Sequence, residues 1–246
     1  MSYSELNQLV KAEELFDAGK LDEAFEILNN SVHFEELNSQ QKDYFQFLKG
    51  LILLYQWKSD ELIEFGEQIF QEGQISNNNL QSLDGLFFII AGLIAAEKFE
   101  EALSKIETAE EYLGLIFNTP KNKYIQRKAR IRLLKGVINL DLNKQDVAEE
   151  CLRSVLDFQN QLGNTFEIVW ATFMIARLLY QGKRRCNLAM EYANKACSIA
   201  DQIKFNHFWI AYGQLSLGVI HSTLGEIDIG LKYYMKSLAI YREIKN

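Results

Sequence analysis

The chain has 246 residues, of which 48% are hydrophobic and 24% are charged, and its net charge is −7. This composition provides for a substantial core, and a single proline disfavours a loop-rich all-β protein. The three cysteines lack CxxC spacing, which excludes a disulfide scaffold, and the longest apolar run, residues 86–96, is too short to span a membrane. The sequence also shows no basic-then-apolar leader. Together these features predict a cytoplasmic protein.

Apolar residues recur at helical spacing in pairs of segments separated by short turns. Each pair predicts two antiparallel helices, and six such pairs use nearly the whole chain. Turns are expected at Gly19, at Trp57 and at Gly225. In chain order the predicted pairs are residues 5–18 with 22–30, 43–56 with 60–71, 83–97 with 99–117, 125–142 with 145–162, 167–181 with 187–203, and 208–224 with 229–244.

Small residues occur in phase on the two helices of most pairs. Glycine or alanine on facing helices lets the two backbones approach closely, so these positions predict the contact within each pair. Leu62 departs from the pattern and is expected to widen the second pair. Recurrence at a nearly fixed period predicts a stacked array. The pairs are Ala12 with Ala24, Gly50 with Leu62, Gly136 with Ala148, Ala176 with Ala189, and Gly218 with Gly230.

The last pair resembles a tetratricopeptide repeat (TPR). Leu217-Gly218, the turn glycine Gly225, Gly230 and Tyr234 stand where that family places its small and aromatic residues. The period of 38 to 46 residues is longer than the family's usual length of about 34 and is similar to a long-helix variant. The resemblance implies an all-α, right-handed superhelical solenoid of about six antiparallel helix pairs. It would extend over residues 1–246 as one domain, or form part of a longer array.

Charge divides the sequence near Pro120. Residues 1–120 hold 22 acidic and 7 basic side chains, a net charge of −15, whereas residues 121–246 hold 11 and 19, a net charge of +8. Seven basic residues fall within 121–135, which contain no acid. A solvated helix face is favoured over a dedicated anion site, and nucleic acid is disfavoured because the whole chain is acidic. The division is compatible with salt-sensitive self-association between copies.

Catalysis and metal binding find little support in the sequence. His33, His207 and His221 are scattered over different repeats, and none has a second ligand at metal-binding spacing. Paired glutamates are adjacent along the chain and so do not converge as an acid and a base. We therefore predict no enzyme, no catalytic residues, no metal and no cofactor.

The groove of the array is the remaining candidate site. In the resembled family the first helix of each pair lines a concave surface, and aromatic and arginine side chains there are frequent anchors for partners. Plain inter-repeat core is an equally weighted alternative. The resemblance implies a cytoplasmic scaffold that binds a peptide or helix of another protein, the alternative being a ligand- or peptide-sensing regulatory module that controls an effector. The implied partner-binding residues are Tyr44, Phe47, Tyr55, Phe87, Arg130, Trp170, Phe173, Arg177, Tyr180 and Tyr212.

Overall fold

The computed structural model describes residues 3–182, 185–204 and 207–244, with side chains from Leu6 onwards. Within these ranges the chain is all-α and contains no strand. None of the described helices is both long and apolar enough to cross a membrane. The chain divides into two compact units at Asn118 and Thr119, next to the joint where the net charge changes sign. The prediction of one continuous solenoid domain stays a prediction.

The first unit contains six α-helices and one 3-10 turn, Phe34–Glu36. Each helix packs against the next, and α3 also contacts α1 and α5. The start of α3 is fixed by a capping box, in which the Asn38 side chain accepts from the Gln41 backbone N–H and the Gln41 side chain accepts from that of Asn38, both at 3.0 Å. The helices are α1 Tyr3–Asp17, α2 Leu21–Asn30, α3 Ser39–Tyr55, α4 Ser59–Ile75, α5 Asn79–Ala95 and α6 Phe99–Leu115.

The second unit contains the remaining seven helices. The first helices of its three pairs are neighbours, because α10 contacts both α7 and α12, while α8 packs on α10 and α11 packs on α12. Each pair thus covers the apolar face of its neighbour, which is the packing rule of a repeat array. The helices are α7 Lys121–Asp141, α8 Gln145–Leu156, α9 Gln159–Leu162, α10 Phe166–Gln181, α11 Cys186–Ala200, α12 His207–Thr223 and α13 Ile227–Ile244.

The helix pairs agree with those predicted from the sequence, although α3, α5 and α7 begin four residues before the predicted start and α4 ends four residues after the predicted end. Two other predicted helices end early. The segment predicted as one helix over 145–162 is divided into α8 and α9, and α11 ends three residues before the predicted end. In both places the N–H of a residue just past the helix bonds three residues back, from Phe158 to Val155 O (3.1 Å) and from Gln202 to Ile199 O (3.0 Å). This bond tightens the last turn and ends the α-helical ladder.

One kind of turn ends the first helix in five of the six pairs. One residue adopts a left-handed backbone conformation, and the N–H of the next residue donates to the carbonyl five residues earlier, as from Lys20 to Leu15 O and from Lys98 to Leu93 O, both at 2.9 Å. These are the features of a Schellman motif, which satisfies carbonyls that a helix end leaves without partners. The left-handed residues are Gly19, Trp57, Glu97, Asn143 and Gly225, with φ between 58° and 85°.

A charge pattern that was not predicted from the sequence starts at the residue after each left-handed position. It is a lysine in four of the five turns, and acidic residues follow in the first turn of the next helix. Lys20 lies 2.9 Å from Glu23, and Lys58 lies 3.8 Å from Glu61. Acidic side chains in a first turn interact favourably with the helix dipole. The lysines are Lys20, Lys58, Lys98 and Lys144.

The closest helix approach in the first unit lies between successive pairs. A Cβ atom added at Gly85 of α5 would stand 2.7 Å from the Gly66 carbonyl oxygen of α4, and one added at Gly66 would stand 2.8 Å from the Gly85 oxygen. The contact continues one heptad away in each direction, where Gly73 faces Ser82 and Gly92 faces the Ile63 side chain and the Ser59 carbonyl. At Gly66 and Gly85 the backbones of α4 and α5 are in direct contact.

The predicted small-residue contacts are found in one pair and differ in two others. In the last pair, a Cβ added at Gly230 would stand 2.9 Å from the Gly218 oxygen, so this contact is confirmed. Gly50 instead makes room for the Phe88 ring of α5, and Leu62 is buried. Gly136 faces Leu152, one turn beyond Ala148.

Candidate functional site

In the first unit the predicted binding residues pack against the unit's own helices. Tyr55 and Phe87 are buried, and the Tyr55 ring lies 5.5 Å from that of Phe16. Phe47 is half-buried, with its ring 6.3 Å from the Phe88 ring. Tyr55 and Phe87 therefore belong to the core in this conformation and offer little surface to a ligand.

Tyr44 is half-buried, and its hydroxyl lies beside Glu13 of α1. Burial raises the pKa of this phenol, and the neighbouring Glu13 carboxylate raises it further. The contact joins α3 to α1. Tyr44 and Phe47 are thus the two predicted residues of the first unit that keep exposed surface.

In the second unit Phe173 is fully buried. Its ring is stacked on Trp209 at 6.3 Å and meets Tyr212 edge-on at 5.3 Å. Trp170 is half-buried, with its ring 5.7 Å from that of Trp209. Through these ring contacts α10 packs against α12. Phe173 is therefore a core residue, while part of the Trp170 side chain remains exposed.

Arg130 is also buried, and its function in the free chain is structural. Its Nε atom donates to Glu167 Oε1 at 2.9 Å, and both side chains are at least 95% buried. The guanidinium carbon lies 5.5 Å from the centre of the Phe166 ring. The pair joins α7 to the start of α10. A buried charge pair with good geometry restricts which helix registers are allowed, because either partner alone would be very costly.

Three of the predicted binding residues, Arg177, Tyr180 and Tyr212, lie together near the end of α10, and each is partly exposed. Arg177 donates from Nη2 to Asp141 Oδ1 at 2.5 Å and from Nε to Gln181 Oε1 at 3.1 Å. Tyr180 and Tyr212 lie close enough to Arg177 for its charge to lower their pKa values. We call Asp141, Arg177, Tyr180, Gln181 and Tyr212 the tyrosine–arginine cluster.

Local sequence explains this arrangement. Arg177, Tyr180 and Gln181 stand at positions i, i+3 and i+4 of one helix and therefore share a face. Asp141 is the last residue of α7, and Tyr212 comes from the middle of α12. Because α10 contacts both of these helices, the three first helices of the second unit each contribute to the cluster. Asp141 and Gln181 were not predicted from the sequence, although the spacing of Gln181, four residues after Arg177, places the two side chains on one helix face.

The cluster is rich in fixed hydrogen-bond donors. Burial raises the pKa of Tyr180 and of Tyr212, and the opposing effect of Arg177 is smaller. Both phenols therefore stay protonated and able to donate at neutral pH. The Arg177 side chain keeps 28% of its surface exposed. A ligand that supplies carbonyl or carboxylate oxygens would match these donors, and Asp141 could accept from an N–H group.

The described residues contain no group of three or more histidine, cysteine, aspartate or glutamate side chains placed to hold a metal. Of the three histidines, His221 contacts Glu226 at 2.5 Å through Nδ1 and stacks on the Tyr233 ring at 5.2 Å. Its neighbours are thus structural partners at the α12–α13 turn.

The cysteines are expected to differ in reactivity. Burial raises the pKa of Cys151 and raises that of Cys197 to about 11, so very little of either is thiolate at neutral pH. Cys186, at the start of α11, and Cys197 are both partly exposed. Alkylation of the folded protein at neutral pH, followed by mass spectrometry, should label Cys186 first and all three thiols only after denaturation. Labelling of Cys197 as fast as Cys186 would contradict the raised pKa of Cys197.

Comparison with known proteins identifies the fold. No family model matches the sequence, and no curated protein matches it. A Rap protein complexed with competence and sporulation factor is similar over 100% of this chain and 68% of its own, with a TM-score of 0.64 and 17% identity. The apo form of RapI is similar over 98% of both chains, with a TM-score of 0.58 and 14% identity. BtubC from P. vanneervenii covers 100% and 94%, with a TM-score of 0.56 and 10% identity.

At these identities the likeness concerns the fold alone. The Rap structures are TPR-like helical-repeat proteins, and the described part of this chain consists of helices packed in adjacent pairs. The chain therefore has an all-α helical-repeat fold similar to that of the Rap proteins, as the sequence predicted.

Proposed function

We propose that the protein is a non-catalytic interaction module whose second unit binds a peptide or helix of a partner protein at the tyrosine–arginine cluster. The observation that carries this proposal is the concentration of partly exposed side chains, Arg177, Tyr180 and Tyr212, where three first helices meet. The similar Rap structure complexed with competence and sporulation factor supports a binding function, because a protein of this fold is seen there in complex with another molecule.

The physical basis of binding is preorganisation. Asp141 and Gln181 hold the Arg177 side chain in one orientation, so its remaining N–H groups need not be ordered when a ligand arrives. Tyrosine and arginine supply both apolar contact area and directed hydrogen bonds, which is why they are enriched at binding hot spots. A peptide whose carbonyl groups follow the α10 face could accept from Arg177 and from the Tyr180 hydroxyl.

Selection from a displayed library of random peptides tests the proposal. Peptides enriched on the wild-type protein should lose affinity by about tenfold or more with Arg177→Ala, since truncation of an anchoring residue typically costs more than ~1 kcal/mol. Fluorescence anisotropy with the labelled peptide measures this change. Tyr180→Ala should act in the same direction.

Arg153→Ala provides the matched control. Arg153 lies on α8, where it bonds to Glu149 (2.9 Å) and to the Tyr192 hydroxyl (3.2 Å), so it too is an arginine held by an acid and near a phenol. Its replacement should leave peptide affinity unchanged. Equal losses for the two variants, or no loss for Arg177→Ala, would remove the cluster as the binding site. Thermal unfolding of each variant separates lost binding from lost folding.

The similar Rap structure with its bound factor favours a second candidate, a sensing module in which the ligand changes the conformation of the array. A ligand can shift a conformational equilibrium only when it binds the two states with different affinities. Small-angle scattering with and without the selected peptide distinguishes the candidates. A sensor should show a changed scattering profile, whereas a scaffold should show the same profile plus the mass of the peptide.

A further inference from the structure

The last helix, α13, carries a stripe of large apolar side chains that face solvent. Ile227, Leu231, Met235 and Leu238 have exposed fractions of 61%, 55%, 64% and 49%. Their spacing of four, four and three residues places them on one face. The helix packs on α12 through other positions, of which Gly230 and Ser237 are buried. We call these four residues the α13 stripe.

Exposed large apolar residues elsewhere in the described chain do not form such a row. Leu6 and Val10 are exposed as a pair on α1. Ile75, Leu115 and Val147 are exposed near an end of α4, α6 and α8, one residue to each helix. Single exposed apolar residues are normal on protein surfaces, whereas a contiguous row marks an interaction surface. The α13 stripe is therefore distinguished by its continuity along one helix.

We propose that a second copy of this chain covers the α13 stripe, through antiparallel pairing of the two α13 helices about a two-fold axis near Met235. A two-fold contact uses the same surface on both copies, so that surface must complement itself. The axis at Met235 places Leu231 of each copy against Leu238 and Ala239 of the other. The proposal is independent of the function assigned to the tyrosine–arginine cluster.

Charge at the two ends of the stripe favours the antiparallel arrangement of two copies over the parallel one. Asp228 and Arg242 are exposed and equally distant along the chain from Met235, so antiparallel pairing brings each Asp228 to the Arg242 of the other copy. Parallel pairing would place like charges together, which is destabilising. An 18-residue helix is about 27 Å long, and one such contact approaches the lower limit of specific interfaces, about 1,000 Å² in total. We therefore expect a dimer that dissociates on dilution.

Light scattering after size exclusion, over a wide range of protein concentrations, tests the interface. The wild-type protein should have the mass of two copies at high concentration and of one copy when dilute. Met235→Glu should remain a single copy throughout, because two carboxylates would meet at the axis. Ile75→Glu is the matched control, since Ile75 is also exposed but lies on α4, and this variant should dimerise like the wild type.

Charge reversal identifies the second copy as the partner. Asp228→Arg and Arg242→Asp should each raise the dimer dissociation constant about tenfold, because each single change creates two like-charged contacts in the symmetric pair. The double variant should restore the wild-type constant. Far-ultraviolet circular dichroism confirms that each variant is folded.

Three results would overturn the proposal. The first is a single-copy mass for the wild-type protein at every concentration, which would leave the stripe to another protein or another segment. The second is an undiminished dimer in Met235→Glu. The third is a double charge variant that associates no better than either single variant.

Discussion

Gly85→Ala is expected to lower the free energy of unfolding by roughly 2 kcal/mol, in the middle of the range for overpacked cores. The new methyl group would lie 2.5 Å from the Phe70 backbone nitrogen and 2.7 Å from the Gly66 oxygen. Both atoms belong to the main chain of α4, which cannot rotate away as a side chain can. The helices must separate, and the contacts along their whole length weaken together. Urea denaturation monitored by circular dichroism measures the loss.

Gly114→Ala is the matched control for this substitution. Gly114 also lies within a helix, α6, but nothing stands within 4 Å of an added Cβ. Alanine should stabilise this helix by up to ~1 kcal/mol, because it loses less backbone entropy on folding. Equal effects of the two substitutions would mean that α4 and α5 are farther apart than described. At Gly136 the nearest atoms are the flexible end of Leu152, so Gly136→Ala should cost less than Gly85→Ala.

Glu167→Ala is expected to destabilise the protein by about 3–5 kcal/mol, because it leaves the buried Arg130 guanidinium without its carboxylate. The double variant Arg130→Met with Glu167→Leu should recover most of that loss, since apolar residues of similar volume remove both charges at once. Denaturant unfolding of Arg130→Met, Glu167→Leu and the double variant forms a cycle that isolates the energy of the pair.

Arg153→Ala serves again as the comparison. It breaks an exposed ion pair between positions i and i+4 of α8, which is worth only about 0.3–0.5 kcal/mol. A similarly small effect of Glu167→Ala would show that water reaches the buried pair. A double variant no more stable than Glu167→Ala would show that Arg130 is needed for packing rather than for its charge.

The helix pairs were predictable because turns and apolar periodicity are local properties. Gly19 and Gly225 mark turns through their own backbone preference, and the segments on either side repeat at 3.6 residues. The closest helix contact was not predictable in the same way. Gly66 and Gly85 belong to different pairs, whereas the small residues that recur in the sequence predict contacts only within a pair. A contact between neighbouring repeats depends on their relative rotation, which local spacing does not specify.

The binding face was predictable only in part, because an aromatic residue at helical spacing fits either the core or a surface. A first helix in this array is covered on several sides: α10 contacts α7, α8, α11 and α12. The strip left exposed is narrow, and one residue along a helix rotates by about 100°. Phe173 and Arg177 differ by one turn, yet the first is fully buried and the second is partly exposed.

The turn that recurs between helices explains how chains with very different sequences can keep this fold. Glycine, tryptophan, glutamate and asparagine all occupy its left-handed position here, since one strained residue costs only on the order of 1–2 kcal/mol. A substitution there that weakens the signature still leaves the helix reversal intact. Divergent chains can thus keep the architecture at 10% to 17% identity while losing the glycines and prolines by which such repeats are usually detected.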